Sequence, residues 1–158
     1  MGNLFSSHVK KLRLAFDLDE TLGVPLIGQD RIIGFVERTG LRELLPRLQD
    51  FELCIWTVSN RSYLDTIFLF GLGEFFDETY SWDEKPCLWK DVHEIPVDYL
   101  IDDSQYHRDA ALEQELADRY IIVPAFGSPE DVSDPLGWVW EIGKVLGRRF
   151  DEWARLVT

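Results

Sequence analysis

The sequence predicts an α/β protein in which helices cover both faces of a central, mostly parallel sheet. Short apolar runs typical of buried strands alternate along the chain with segments of helical periodicity, and this alternation favours a parallel sheet. The chain has 158 residues, of which 46% are hydrophobic and 28% charged, as in a folded soluble domain. No repeat or linker interrupts it, so we expect a single domain over residues 1–158.

Each element can be placed from a local pattern. An apolar run over 12–17 predicts the first buried strand, and alternating apolar and polar residues over 22–39 predict a small hairpin that turns near 28–30. Helical periodicity predicts helices over 40–49, 61–70, 105–119 and 134–157, and apolar runs predict strands over 51–56, 77–82, 97–101 and 120–123. We expect a loop with a short helix over 85–94, and a last helix that exposes Arg148 and Arg149.

The composition argues against several classes of function. With 16 basic and 29 acidic residues the net charge is −13, which repels nucleic acid and anionic membranes, so nucleic acid is not an expected partner. No apolar run reaches the roughly 20 residues of a transmembrane segment. Cys54 and Cys87 are too few for a disulfide scaffold, which indicates reduced thiols and an intracellular, cytoplasmic protein. Residues 1–6 fit a myristoylation pattern, although a frayed N-terminus is the simpler interpretation.

Polar side chains follow three of the predicted strands. The three clusters are Asp17 with Asp19, Thr57 with Ser59, and Asp102 with Asp103. In open α/β sheets, ligands bind beyond the carboxyl ends of the strands. Many strands simply stop at polar residues, but four carboxylates and a hydroxyl at three strand ends are harder to explain by chance. The sequence therefore predicts a functional site at this edge of the sheet.

The four carboxylates indicate a magnesium site. Asp17 and Asp19 are two residues apart, so in an extended backbone their side chains point to one face and repel each other. A divalent cation removes that repulsion, and carboxylate oxygens suit Mg²⁺, which retains waters and binds phosphate. Asp102 and Asp103 can supply further ligands. Capping of the following helices by Asp19 or Asp103 is the structural alternative for one of the four.

The same residues indicate covalent phosphate chemistry. One aspartate attacks phosphorus to form an aspartyl-phosphate, and its neighbour protonates the leaving oxygen and then activates water. The charge on the transferred phosphoryl group has to be neutralised. Thr57 with either Lys85 or Lys90 could do so.

Three segments resemble the motifs of the haloacid dehalogenase (HAD) superfamily of phosphohydrolases. They are Phe-Asp-Leu-Asp-Glu-Thr-Leu at 16–22, Ile-Trp-Thr at 55–57, and a lysine followed by Ile-Asp-Asp-Ser at 101–104, in the family's order. The resemblance implies a three-layer Rossmann-like HAD fold with a small hairpin flap. It also implies that Asp17 is the nucleophile and a Mg²⁺ ligand. Asp19 would be the acid/base with its backbone carbonyl on the metal, and Thr57 and the lysine would hold the phosphoryl group.

Within the superfamily, the sequence is most similar to the NLI-interacting-factor-like branch, which includes phosphatases of the RNA polymerase C-terminal domain. The similarity rests on residues 38–45, 52–60 with Tyr63, 82–92 and 125–127. It implies that Asp103 contacts Mg²⁺ and that Asp102 pairs with the lysine. The stretch before Ile101 is shorter than in this branch. Lys85-Pro86 resembles the wider superfamily and Lys90-Asp91 the branch, so both lysines remain candidates, with Lys90 favoured.

The connections between the motifs predict a site without a cap domain. Only 35 residues separate Thr21 from Thr57 and 32 separate Thr57 from Lys90, whereas an independent cap usually needs more than roughly 40. An open site admits a bulky substrate such as a phosphoprotein segment.

Several further residues are candidates for substrate contact. They are Ser59, Asn60 and Trp89, with Trp82 beside Trp89, and His107 and Arg108 after the acidic pair. Core packing explains at least one of the tryptophans equally well, and a helix surface explains His107 and Arg108.

Other functions remain open at this point. Phosphatases of nucleic-acid ends or small metabolites use the same chemistry, and some members of the branch are binding modules with little turnover. A phospho-aspartate receiver is disfavoured because its lysine follows its acidic residues, and a P-loop enzyme is excluded by the absence of its motif. The substrate, the phosphate acceptor and the oligomeric state are not determined by the sequence.

Overall fold

A computed structural model describes residues 10–150. Its strands are β1 (Arg13–Phe16), β2 (Gly23–Gly28), β3 (Arg31–Glu37), β4 (Glu52–Trp56), β5 (Glu78–Tyr80), β6 (Tyr99–Asp102) and β7 (Tyr120–Ile122). Its helices are α1 (Leu41–Leu44), α2 (Arg61–Phe68), α3 (Gln105–Ala111), α4 (Pro129–Ser133) and α5 (Gly137–Leu146). The myristoylation pattern at 1–6 and residues 151–157 of the last predicted helix lie outside the described residues.

Five strands form a parallel sheet in the order β5-β4-β1-β6-β7, which confirms the predicted α/β class. The chain runs outward from β1 through β4 and β5, then returns to β6 on the other side of β1. The strand order therefore reverses between β1 and β6, and such a switch point is where open α/β sheets bind ligands. Phe16 is in register with both Ile55 and Ile101, so β1, β4 and β6 end at the same edge.

Each face of the sheet carries its own apolar cluster because successive side chains of a strand point to opposite faces. Leu14 and Phe16 of β1 pack on one face with residues of α1, α2 and α5. Ala15 packs on the other face with Ala111 of α3 and with Val92. Both faces of the central strands are covered, which explains why these strands read as continuous apolar runs.

The predicted hairpin is confirmed as an antiparallel pair, β2 and β3. Its two turn residues, Gln29 and Asp30, have φ values of 51° and 60°, as a two-residue hairpin turn requires. Gly23 begins the hairpin where a Cβ atom would lie 2.1 Å from the carbonyl oxygen of Val36, so only glycine fits there.

Several predicted helices were too long. The helix expected over 40–49 is α1 followed by a 3-10 turn over Leu45–Leu48, because Pro46 lacks the N–H that an α-helix would use. The helix expected over 105–119 ends at Ala111. Two 3-10 turns replace its remainder, and Glu115 between them has a left-handed φ of 58°. The short helix expected within 85–94 is absent, since residues 81–98 contain neither helix nor strand.

The last predicted helix also differs. A separate short helix, α4, precedes it, with Ser128 accepting a hydrogen bond from the backbone N–H of Asp131. Helix α5 then ends at Leu146, where Gly147 adopts a left-handed φ of 67°. The expectation that Arg148 is exposed was wrong, because it is half-buried, pairs with Asp50 and lies over the ring of Phe51.

Within residues 10–150, no helix combines the length and the apolar character needed to cross a membrane. Cys54 is buried, Cys87 is half-buried, and neither forms a disulfide.

Candidate active site

The polar clusters at the strand ends meet at the switch point of the sheet. Asp17 directly follows β1, Asp102 ends β6, and Asp103 follows it. Carboxylate oxygens of these three residues lie within 4.8 Å of one another. The backbone N–H of Asp17 donates to the carbonyl of Ile101 at 2.9 Å, which ties the end of β1 to β6. The sheet therefore brings together three of the four predicted metal ligands.

Lys90 is the lysine that reaches these carboxylates. Its Nζ lies 2.7 Å from Asp17 Oδ1 and 2.9 Å from Asp102 Oδ2, and its side chain is only 1% exposed. Burial opposes the charge of the ammonium, but the two carboxylates outweigh burial and raise the pKa of Lys90. Lys85 is half-buried and, within residues 10–150, forms no ion pair with either aspartate.

Thr21 bridges the other oxygen of Asp17 to Asp103. Its Oγ1 lies 3.2 Å from Asp17 Oδ2 and 3.0 Å from Asp103 Oδ1, and it accepts the backbone N–H of Asp103. The hydroxyl has one hydrogen, so it can donate to only one of the two carboxylates at a time. Burial, followed by the proximity of Asp17, raises the pKa of Asp103 to about 7. The sequence signalled Thr21 only as part of a motif, with no role of its own.

This set of oxygens fits a magnesium ion. With Asp17, Asp102 and Asp103 ionised, the ammonium of Lys90 leaves two negative charges uncompensated, and the donors are hard carboxylate oxygens. Mg²⁺ matches both the charge and the type of donor. The raised pKa of Asp103, which follows from burial and then from the nearby Asp17, shows that a second negative charge is unfavourable here without a counterion.

The carboxylate of Asp19 lies outside that set among the described residues. Its two oxygens accept hydrogen bonds from the hydroxyl of Tyr63 and, at 3.3 Å, from the hydroxyl of Ser59. Burial, and then the charge of Asp17, raise the pKa of Asp19, whereas the hydrogen bond from Tyr63 opposes this shift. This environment favours a carboxyl group that can hold a proton. Tyr63 is a contact that the sequence marked only through the family resemblance.

The residues after β4 are held by local hydrogen bonds. Thr57 is buried, and its Oγ1 accepts the backbone N–H of Ser59 at 3.1 Å. Asn60, a predicted substrate contact, is the N-cap of α2, since its side chain accepts the backbone N–H of Tyr63 at 2.8 Å. The side-chain oxygen of Asn60 is thus used by the helix terminus. The residue is nevertheless exposed, so the rest of its side chain can be reached from solvent.

The remaining predicted contacts divide between packing and surface. Trp89 packs against the second apolar cluster, with its ring 6.5 Å from that of Tyr120, whereas Trp82 is 43% exposed. The helix-surface interpretation of His107 was wrong, because His107 is buried, and its Nδ1 accepts the backbone N–H of Lys90 at 2.9 Å. Burial, and then the charge of Lys90, lower the pKa of His107 to about 4. Arg108 is half-buried.

No protein-family model and no curated protein matches the sequence. Solved structures do match the fold. One is a protein from Thermotoga maritima assigned as a beta-phosphoglucomutase, with a TM-score of 0.55 and 13% identity over 78% of this chain and 91% of that one. Another is a HAD-superfamily hydrolase of subfamily IA from Geobacter sulfurreducens PCA, with a TM-score of 0.50 and 14% identity over 80% of this chain and 96% of that one.

These similarities concern the fold. At 13–14% identity they establish that the chain shares the α/β Rossmann-like architecture of these proteins. A fold of this type hosts many chemistries, so function has to be argued from the residues at the switch point.

Proposed function

We propose that the protein is a Mg²⁺-dependent phosphomonoesterase that acts through a phosphorylated Asp17. The observation that carries the proposal is the junction of β1 and β6, where Asp17 contacts a buried lysine and lies close to two further aspartates. The similarity of the fold to a HAD-superfamily hydrolase is consistent with this chemistry.

In this proposal each residue has a distinct part. A carboxylate oxygen of Asp17 attacks phosphorus, the bond from phosphorus to the leaving oxygen breaks, and Asp19 gives that oxygen a proton. Asp19 then takes a proton from the water that attacks phosphorus, the bond from phosphorus to the Asp17 oxygen breaks, and phosphate leaves while the Asp17 carboxylate is regenerated. Lys90 and Thr57 bind the phosphoryl oxygens and offset their charge in the transition state.

Asp17, Asp103 and the backbone carbonyl of Asp19 would hold Mg²⁺, and Asp102 would hold Lys90. The bound ion would supply charge neutralisation for the phosphoryl oxygens. The proposed acceptor of the phosphoryl group is water. A sugar phosphate is the competing acceptor, suggested by the protein assigned as a beta-phosphoglucomutase.

We also propose an open site and a phosphorylated protein segment as substrate. Within residues 10–150, the connection from β1 to β4 holds the β2–β3 hairpin, α1 and a 3-10 turn. The connection from β4 to β6 holds α2, a second 3-10 turn over Leu72–Glu74, β5 and residues 81–98, which contain no helix or strand. Of these elements, α1 and α2 pack on the first apolar cluster and β5 joins the central sheet, which supports access for a bulky substrate.

The test is release of inorganic phosphate from an aryl phosphate and from phosphopeptides, with Mg²⁺ and with EDTA. The wild-type protein and Asp30→Asn, a matched change at the hairpin turn, should show Mg²⁺-dependent release. Asp17→Asn should lose activity on the order of 10³-fold or more while remaining folded, as circular dichroism would show. Wild-type activity in Asp17→Asn would refute the proposal. A folded, Mg²⁺-binding protein that releases no phosphate from any substrate would favour a binding module.

A further inference from the structure

Lys90 lies in a segment without regular structure, yet its main chain is hydrogen-bonded to neighbouring elements. Residues 81–98 form neither helix nor strand, and two residues before Lys90 the side chain of Leu88 is 90% exposed. Val92 and Ile95 are buried in the second apolar cluster and anchor the segment after Lys90. The backbone of Lys90 itself needs other contacts to fix it, since its N–H and C=O are outside any helix or sheet ladder.

Two side chains from neighbouring elements make those contacts. His107 of α3 accepts the backbone N–H of Lys90 on its Nδ1 at 2.9 Å. Tyr120 of β7 donates its hydroxyl to the backbone carbonyl of Lys90 at 2.6 Å and accepts the backbone N–H of Val92 at 3.1 Å. The N–H and the C=O of Lys90 are thus both satisfied by side chains, one from α3 and one from β7.

The same two residues are coupled to the surroundings of the ammonium. Nε2 of His107 lies 3.8 Å from Asp102 Oδ2, the oxygen that also accepts from Lys90 Nζ. The ring of Tyr120 packs at a tilt of 42° against Trp89, the residue before Lys90. His107 and Tyr120 therefore contact the backbone of Lys90, its carboxylate partner and its neighbour in the chain.

We propose that His107 and Tyr120 are positioning residues that clamp the backbone of Lys90, so that its ammonium meets both Asp17 and Asp102. The proposal rests on the phosphatase function for its catalytic consequence, but the clamp itself is a property of the metal-free protein. A buried ammonium bound by two carboxylates has little room to move, because a shift of the backbone lengthens both of its hydrogen bonds.

The test measures how fast an amine-acylating reagent modifies Lys90 in the metal-free protein, by peptide mass spectrometry. Lys85, half-buried in the same segment, is the internal reference. His107→Leu removes the acceptor for the Lys90 N–H, whereas His107→Asn keeps an acceptor where Nδ1 lies. Tyr120→Phe removes only the hydroxyl. Tyr80→Phe is the matched control, because its hydroxyl contacts Glu78 and Arg13 instead.

We expect His107→Leu and Tyr120→Phe to raise the modification of Lys90 about tenfold relative to Lys85. His107→Asn and Tyr80→Phe should retain the protection of the wild-type protein. Unchanged protection of Lys90 in Tyr120→Phe and in folded His107→Leu would overturn the proposal. An equal rise at Lys85 and Lys90 would also overturn it, because that result means that the whole segment loosens. If His107→Leu does not fold, Tyr120→Phe decides.

Kinetics supply a second readout that depends on the proposed function. In the two clamp variants, kcat for an aryl phosphate should fall about tenfold, while KM changes much less, because the displaced ammonium faces charge that develops in the transition state. His107→Asn should restore kcat. If the wild-type protein has no phosphatase activity, the labelling experiment still tests the clamp, because it requires no turnover.

Discussion

The two sides of Asp17 differ in how their charge is compensated. On the lysine side, Oδ1 of Asp17 and Oδ2 of Asp102 share the buried ammonium of Lys90. On the threonine side, Oδ2 of Asp17 and Oδ1 of Asp103 share one hydroxyl, that of Thr21. The buried guanidinium of Arg38 attracts Asp103 from nearby, but within residues 10–150 its ion pair is with Asp131. The oxygens of the lysine side contact a cation directly, whereas those of the threonine side contact none within residues 10–150. The difference is the reason why we place the proposed Mg²⁺ on the threonine side.

The largest expected effect comes from removing the cation of the lysine side. Lys90→Met leaves Asp17 and Asp102 buried against each other, so it should lower the free energy of unfolding by about 3–5 kcal/mol and abolish activity. Lys85→Met is the matched control and should change stability by less than about 0.5 kcal/mol. Urea unfolding measures both variants. Equal stability of the two variants would show that the Lys90 ammonium does not stabilise the buried carboxylates of Asp17 and Asp102.

The same substitution on the two sides should have opposite effects on the metal-free protein at pH 8. Asp102→Asn removes a partner of the buried ammonium and should destabilise by about 2 kcal/mol. Asp103→Asn relieves repulsion from Asp17 and should stabilise by about 1 kcal/mol, while weakening Mg²⁺ binding at least about tenfold. Urea unfolding in EDTA and calorimetric titration with Mg²⁺ measure these effects. If both substitutions changed the free energy of unfolding in the same direction, the two sides of Asp17 would not differ in charge compensation as described.

A smaller effect is expected at Asp19, whose carboxylate belongs to neither the lysine side nor the threonine side of Asp17. Tyr63→Phe removes the hydroxyl that donates to Asp19 Oδ1 and should lower kcat about tenfold with little change in KM, because the proton donor is less well oriented. Tyr80→Phe removes a hydroxyl that also contacts a carboxylate, that of Glu78, and should keep wild-type kinetics. An unchanged kcat in Tyr63→Phe would show that Tyr63 does not orient Asp19 for proton transfer.

The smallest expected effect is a pH dependence of stability without metal. The folded state raises the pKa of Asp103 to about 7, so it binds a proton more tightly than the unfolded chain between about pH 4 and pH 7. The free energy of unfolding in EDTA should therefore fall by about 1 kcal/mol as pH rises through this window. The pKa of Asp19 is also raised, so Asp19 adds to the same decrease in stability as pH rises. Saturating Mg²⁺ and Asp103→Asn should each reduce the dependence of the free energy of unfolding on pH. An unchanged dependence in Asp103→Asn would mean that a group other than Asp103 causes it.

The sheet and the carboxylates could be predicted from the sequence because they depend on local patterns. Central parallel strands are buried on both faces, so β1, β4 and β6 stand out as apolar runs, and the residues that follow them converge by topology alone. The choice between Lys85 and Lys90 could not be settled locally. It depends on which ammonium the fold buries against residues far away in the chain.

The parts that escaped prediction depend on distant contacts or on the ends of helices. His107 and Tyr120 act on Lys90 from 17 and 30 residues away, so no spacing rule reveals them. Helix α3 ends at Ala111 although the periodicity continues, because Glu115 turns the chain with a left-handed φ. Helix α4 is too short for a periodic pattern, although Ser128 followed by Pro129 is a helix-start signal that could have found it.

The most direct test of the account is chemical trapping of the phosphorylated aspartate. The protein would be mixed with an aryl phosphate and Mg²⁺, quenched during turnover, and treated with borohydride, which reduces an acyl phosphate to an alcohol. Mass spectrometry of the peptide over residues 14–31 then locates the reduced side chain. We expect reduction at Asp17 that depends on substrate and is absent in Asp17→Asn. Phosphate release with no reduced residue, or with reduction at another aspartate, would contradict it.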